Sequence, residues 1–192
     1  MNKRILVISD CHFPYHHEAT FNFLRKLKKQ YKPDTVVHIG DEMDWHSINV
    51  SHVINPDLPS PADELLVGRS LCQQLEKIFP NMKHIIETDK GRVMFAHQFS
   101  ADISKAVQQS AMSCVQGHYH TVSSIKYVAN DFHLNWGMSV GCLVDKKSLA
   151  MAYMKVNLAK PVLSCGVITE GIPYIVPMVL NNDGSWDNNI YL

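Results

Sequence analysis

The chain has 192 residues, 46% of them apolar, with 18 basic and 18 acidic side chains and a formal net charge of zero. That length supplies one domain, residues 1–192, with a sizeable core, and the neutral total argues against a protein that holds duplex DNA mainly through phosphate contacts. No apolar run approaches bilayer length, and the run after the basic N-terminus is too short for a signal peptide, so no membrane partner is expected.

Ile5, Leu6, Val7 and Ile8 form an unbroken apolar run, which suits a strand buried on both faces. The run stops at Ser9 and delivers Asp10 and His12, which point the same way if the segment stays extended and can then share one metal ion. Cys11 between them points to the opposite face and reads as a buried spectator. Residues 18–30 have helical spacing, with Phe21, Leu24, Leu27 and Tyr31 on the buried face and Lys26, Lys28 and Lys29 on the solvated one. Residues 35–39 are a second buried strand, with His38 as a core histidine, and it ends in Gly40-Asp41-Glu42-Met43-Asp44. Strand, helix, strand is a parallel βαβ unit, whose strand ends share one sheet edge, so Asp41 is expected beside Asp10 and His12. Glu42 reads as a solvated turn residue and Met43 as core filling.

Residues 45–59 read as a long surface loop that shapes access to the site. Its Trp45 can stack on a base or an aromatic ester group, or anchor the loop; its His46 can line the site or serve as an ordinary loop histidine. Ser60, Pro61 and Asp63 make a helix start, followed by an apolar face of Leu65, Leu71, Leu75, Ile78 and Phe79. A strand is expected at 82–86, a hairpin turn at Thr88-Asp89-Lys90-Gly91, and a strand at 92–96 running into His97. A helix at 101–110 and a strand at 112–116 lead to Gly117-His118-Tyr119-His120. Segments 121–128, 132–136, 162–170 and 172–179 are strand-like, residues 138–159 carry no clear pattern apart from Met138 as core filling, and the tail from Asn181 is expected to be loosely held. His16, His17, His52 and His133 read as surface or loop histidines without a role. Five scattered cysteines with no C-x-x-C pair fit a reducing compartment, hence the cytoplasm, and eleven histidines direct attention to metal ligands.

Asp10/His12, Asp41, His97 and His118/His120 each follow a strand. A mixed oxygen–nitrogen set without thiolate suits manganese, iron(II), zinc or nickel rather than calcium. The order Asp-x-His, Gly-Asp-x-x-Asp, an isolated His, then Gly-His-x-His resembles the calcineurin-like metallophosphoesterases from about Ile5 to His120. The resemblance implies an α/β fold, a layered αββα sandwich of two mixed sheets flanked by helices. It also implies two divalent ions, manganese first, with Asp10, His12, Asp41 and His120 on one and Asp41, His97 and His118 on the other. A hydroxide bridging the ions would then attack a phosphate ester, so the expected activity is phosphomonoester or phosphodiester hydrolysis on a small substrate such as a nucleotide or a nucleic acid end. Asp44 occupies the position that orients a catalytic histidine.

One motif departs from the family. A Gly-Asn-His-Asp/Glu segment normally follows the third strand and supplies an asparagine to the second ion and the acid histidine partnered by Asp44. Here Ile86 is followed by Glu87-Thr88-Asp89, with no Gly-Asn-His anywhere in the chain. A segment lost between Ile86 and Glu87 would explain the departure. It leaves the second ion under-ligated and the acid absent unless His46 or His84 substitutes. Two alternatives therefore accompany the hydrolase: a nuclease acting on nucleic acid ends, and a catalytically impaired binding or scaffold protein. A homo-oligomer is compatible with either.

Overall fold

The computed structural model describes residues 4–46, 59–80, 82, 93–145 and 158–191. Two four-stranded mixed sheets stack face to face with helices outside them, the expected αββα arrangement. The first sheet is built on β1 (Arg4–Ile8), which pairs parallel with β2 (Thr35–His38) and antiparallel with β7 (Ser164–Thr169). An outer strand β8 (Ile172–Pro177) completes the order β2-β1-β7-β8. The second sheet has the order β3-β4-β6-β5, from β3 (Val93–Ala96), β4 (Ser113–Gln116), β6 (Leu134–Val140) and β5 (Ser123–Ala129). Its first three strands are parallel and β5 is antiparallel.

The unbroken apolar run of β1 follows from this stacking. Ile5 and Val7 face the second sheet and join Val115, Trp136 and Met138, whereas Leu6 and Ile8 face the helices. Alternate residues of one strand thus enter two cores. The helix layer on the first sheet is α1 (Thr20–Tyr31) and α2 (Pro61–Ile78); α3 (Ile103–Ser110) covers the second.

The helix at 18–30 is displaced by two residues at its start, and its buried face includes Phe23, which the expected set omitted. The tail is not loose: Trp186 is buried edge-on against Phe23, with ring centroids 5.6 Å apart. His17, expected at the surface, is buried and its Nε2 lies 3.0 Å from the Gly184 carbonyl, tying the tail to the loop before α1. Ser60 caps α2 as expected, accepting the Asp63 N–H at 3.2 Å. The apolar face of α2 differs: Glu64 and Gly68 are buried with Leu75 and Ile78. Met138–Val140, left without a pattern, completes β6. The expected strand at 82–86, hairpin at 88–91 and loss of a segment at Ile86, together with His52 and His84, lie outside the described residues, Met82 excepted.

Candidate functional site

Because β1 and β2 are parallel, the loops leaving them meet at one edge, and backbone bonds continue between them past the strands. Asp10, His12 and Phe13 donate their N–H groups to the carbonyls of Gly40, Asp41 and Glu42 at 3.1, 2.9 and 2.7 Å. The parallel pair β3 and β4 brings His97, His118 and His120 to the same edge. The segment from Asp10 to His12 is not extended, contrary to the sequence reading. Asp10, His12, Asp41, Trp45 and His118 all have φ between 49° and 65°, the left-handed region that non-glycine residues seldom adopt. Such strain gathers where a surrounding structure holds side chains in imposed positions.

Asp10 joins the two sheets. Its carboxylate accepts the His118 N–H at 3.1 and 3.0 Å and the Ser9 hydroxyl. Gly117 permits this approach, since Ser9 Oγ and Asp10 Oδ2 occupy the space its Cβ would need. Two ligand-type clusters result, each with its donor atoms within 4.8 Å of one another: Asp10, His12 and His120, and Asp41, His97 and His118. In the first, His120 Nε2 is 3.0 Å from Asp10 Oδ1 and 3.1 Å from His12 Nε2. In the second, His97 Nε2 is 3.3 Å from both Asp41 Oδ2 and His118 Nδ1. Asp41 Oδ2 also lies 3.6 Å from His12 Nε2 and links the clusters. All six expected ligand residues are therefore brought together.

Asp44 faces two histidines among the described residues. Its Oδ1 is 2.5 Å from His12 Nδ1, and its Oδ2 is 3.5 Å from His46 Nδ1. Burial alone would lower the His12 pKa, but hydrogen bonds to Asp10 and Asp44 outweigh it and carry the ring up to about 9. Burial alone would raise Asp10, yet hydrogen bonds from His12, His120 and Ser9 hold it well below the usual carboxylate range. Asp41 is lowered and His97 raised, chiefly by their mutual hydrogen bond. These carboxylates and imidazoles pair with one another, while Asp44 Oδ2 and His97 Nδ1 are buried without a hydrogen bond.

Three residues here escaped the sequence reading. Ser9 donates to Asp10, Glu64 accepts the His46 N–H at 2.7 Å, and the Tyr15 ring packs 6.1 Å from His46. Burial, then the nearby charges of Glu64 and Asp44, pushes the Tyr15 hydroxyl up to about 12. Only Glu64 had a sequence signal, an acidic residue in the first turn of a helix facing the loop. Glu42 also differs from expectation: its Oε1 is 2.9 Å from Nδ1 of the fully buried His38. Trp45 is exposed beside the site, and Cys11 is a buried thiol pushed up by burial.

As donors, Asp10, His12 and His120 fit one divalent cation, which would supply Lewis-acid chemistry when bound. The second cluster has three donors, and the asparagine that the family motif would add is missing from the sequence.

Residues 3–81 match the family model described as calcineurin-like phosphoesterase. No curated protein matches. Vps29 from Chaetomium thermophilum is 14% identical with a TM-score of 0.57, covering 100% of this chain and 94% of its own. The same protein complexed with a cyclic peptide gives 0.58 at 14% identity, with the same coverage of both chains. Vacuolar protein sorting 29 from Cryptosporidium parvum gives 0.54 at 12% identity, covering 99% of this chain and 95% of its own.

These likenesses correct the expected activity. The Vps29 structures above match along nearly their whole length and carry no hydrolase name, and this sequence has no Gly-Asn-His segment to supply the asparagine and acid histidine of the hydrolase. The reading as phosphatase or phosphodiesterase and the two divalent ions with manganese first fall together. Among the described residues no helix is long and apolar enough to cross a membrane. The calcineurin-like phosphoesterase match covers residues 3–81, and the whole chain shares the fold of the Vps29 structures.

Proposed function

We propose that this chain is a non-catalytic binding or scaffold protein built on the phosphoesterase fold, acting as one domain. The observation that carries the reading is the pairing of Asp44. The sequence lacks the Gly-Asn-His segment whose histidine this aspartate would orient, and Asp44 pairs with His12 at 2.5 Å and with His46 at 3.5 Å instead. The strained loops bearing Asp10, His12, Asp41 and His118 then serve to fix the shape of the sheet edge. His97, His120 and the exposed Trp45 complete a polar face with one aromatic contact, suited to a protein segment. The cyclic peptide complex of Vps29 supports the fold as a carrier of peptide-binding surfaces. Five free cysteines, four of them buried, suit a reducing compartment such as the cytoplasm.

Equilibrium dialysis against manganese, with metal counted per chain, tests the reading. At most one ion per chain is expected, held by Asp10, His12 and His120 and lost in Asp10→Asn. Two ions per chain, the second lost in His97→Ala, would contradict it.

A further inference from the structure

The strands β5 and β8 are the outer edges of the two sheets on one side of the sandwich, and they contact each other. An unpaired edge is a template for another strand unless something blocks it. The two edges differ in this respect. The β7–β8 hairpin turns at Glu170-Gly171, so Thr169 and Ile172 form a bonded pair and the next residues alternate. Pro173, Ile175 and Pro177 are thereby the β8 residues whose backbone faces outward, and two of these three positions offer no N–H. The β8 edge is blocked.

The β5 edge carries no such block. Asn130 donates its N–H to the His133 carbonyl at 3.0 Å, which makes that pair bonded and sets the alternation along β5 and β6. Ser123, Ile125, Tyr127 and Ala129 consequently turn their N–H and C=O groups away from β6. Trp136 agrees with this: it is opposite Tyr127, and its N–H points towards β4, reaching Ser113 Oγ at 3.2 Å. None of the four outward positions is proline or charged, and among the described residues their backbone groups have no partner.

Beside this edge lies a cavity of about 720 Å³, remote from the histidine clusters and lined by Tyr127, Phe132, Leu134, Trp136, Ile172 and Pro173. Phe132 is 86% exposed, Leu134 66%, Tyr127 56% and Ile172 50%. At about 200 Å² per large side chain these four expose roughly 500 Å² of mainly apolar surface, towards the upper end for a lone protein. With the strand edge added, the face approaches the roughly 800 Å² per partner of a standard interface.

We propose that this face binds a second copy of the chain, with β5 of one copy pairing antiparallel to β5 of the other. Two features favour a second copy over a foreign peptide. An antiparallel pair of one strand with itself is closed by a two-fold axis, so the edge is self-complementary and the assembly stops at two. A globular partner bringing its own apolar tip is also needed, because a single added strand leaves Phe132 and Leu134 exposed. A register centred on Tyr127 sets the Phe132 hairpin tip of one copy alongside the exposed Val122 of the other and keeps the two Lys126 side chains from facing each other. The histidine edge stays open for another partner.

Sedimentation velocity of the full chain across a hundredfold range of concentration tests this. The wild type is expected to pass from monomer to dimer, and Phe132→Glu to weaken the dimer about tenfold or more. Tyr127→Pro removes an outward N–H, as Pro173 and Pro177 do on β8, and is expected to abolish dimerisation with an unchanged circular dichroism spectrum. Should that variant fold poorly, Phe132→Glu decides, since its side chain projects into solvent. A wild type that stays monomeric throughout, or a dimer indifferent to Phe132→Glu, overturns the proposal.

Discussion

Phe23→Ala is expected to cost about 3–5 kcal/mol, a large share of the roughly 5–15 kcal/mol that holds a typical domain folded. The ring is fully buried on the inner face of α1, among residues that join the helix layer to the first sheet, and the tail closes over it through Trp186. Truncation loses the transfer of the ring from water and leaves a cavity bounded by two elements far apart in sequence, which cannot easily collapse. Urea denaturation should show a lower midpoint with an unchanged slope. Phe132→Ala, in the exposed hairpin tip, serves as the control and should move the monomer's stability by less than about 0.5 kcal/mol. A loss below about 1 kcal/mol for Phe23→Ala would mean that the tail and α1 do not share a core.

The second large effect is electrostatic. With chelator present, His12 has its pKa raised from 6.5 to about 9 in the folded chain. A raised folded pKa means that the folded state holds the proton more tightly, so the contribution is complete below about pH 6.5. It disappears as pH rises through about 9 and amounts to about 3 kcal/mol. The raised His97 adds in the same direction. Asp10 and Asp41 are lowered, so their contributions are present above the ordinary carboxylate range and fade only in acid. Stability should therefore peak between about pH 4 and 6.5 and fall towards pH 10. Urea denaturation of wild type and His12→Gln at pH 6 and pH 10 isolates the His12 part: the gap between them should close by about 3 kcal/mol. A gap independent of pH would show that the pairing with Asp10 and Asp44 is not ionic.

The edge where the site lies was legible because ligand-type residues follow apolar runs directly: Ile8 before Asp10, Ile39 before Asp41, Val115 before His118. Parallel neighbours then had to bring them together, and the six residues do meet. The backbone that places them was not legible. Asp10 and His12 face the same way through left-handed turns, and nothing in Asp-Cys-His distinguishes that from an extended strand. Phe23 and Trp186 escaped for a different reason. Helical spacing marks a face but not its width, and no local pattern says that a tail near residue 186 returns to a helix near residue 23. Glu64 and His17 are buried by partners on distant segments, the His46 N–H and the Gly184 carbonyl, which composition does not show. The activity is where resemblance led furthest from the outcome. Four motifs carried the expectation of a hydrolase, while the missing Gly-Asn-His segment was the feature that pointed to the alternative.

The most direct measurement is hydrolysis of a chromogenic phosphodiester and a chromogenic monoester by the purified chain, with manganese and with chelator, beside an Asp41→Asn protein. A non-catalytic chain gives no manganese-dependent turnover above that variant while remaining folded. Manganese-dependent turnover that disappears in Asp41→Asn would contradict the account and restore a working two-ion centre.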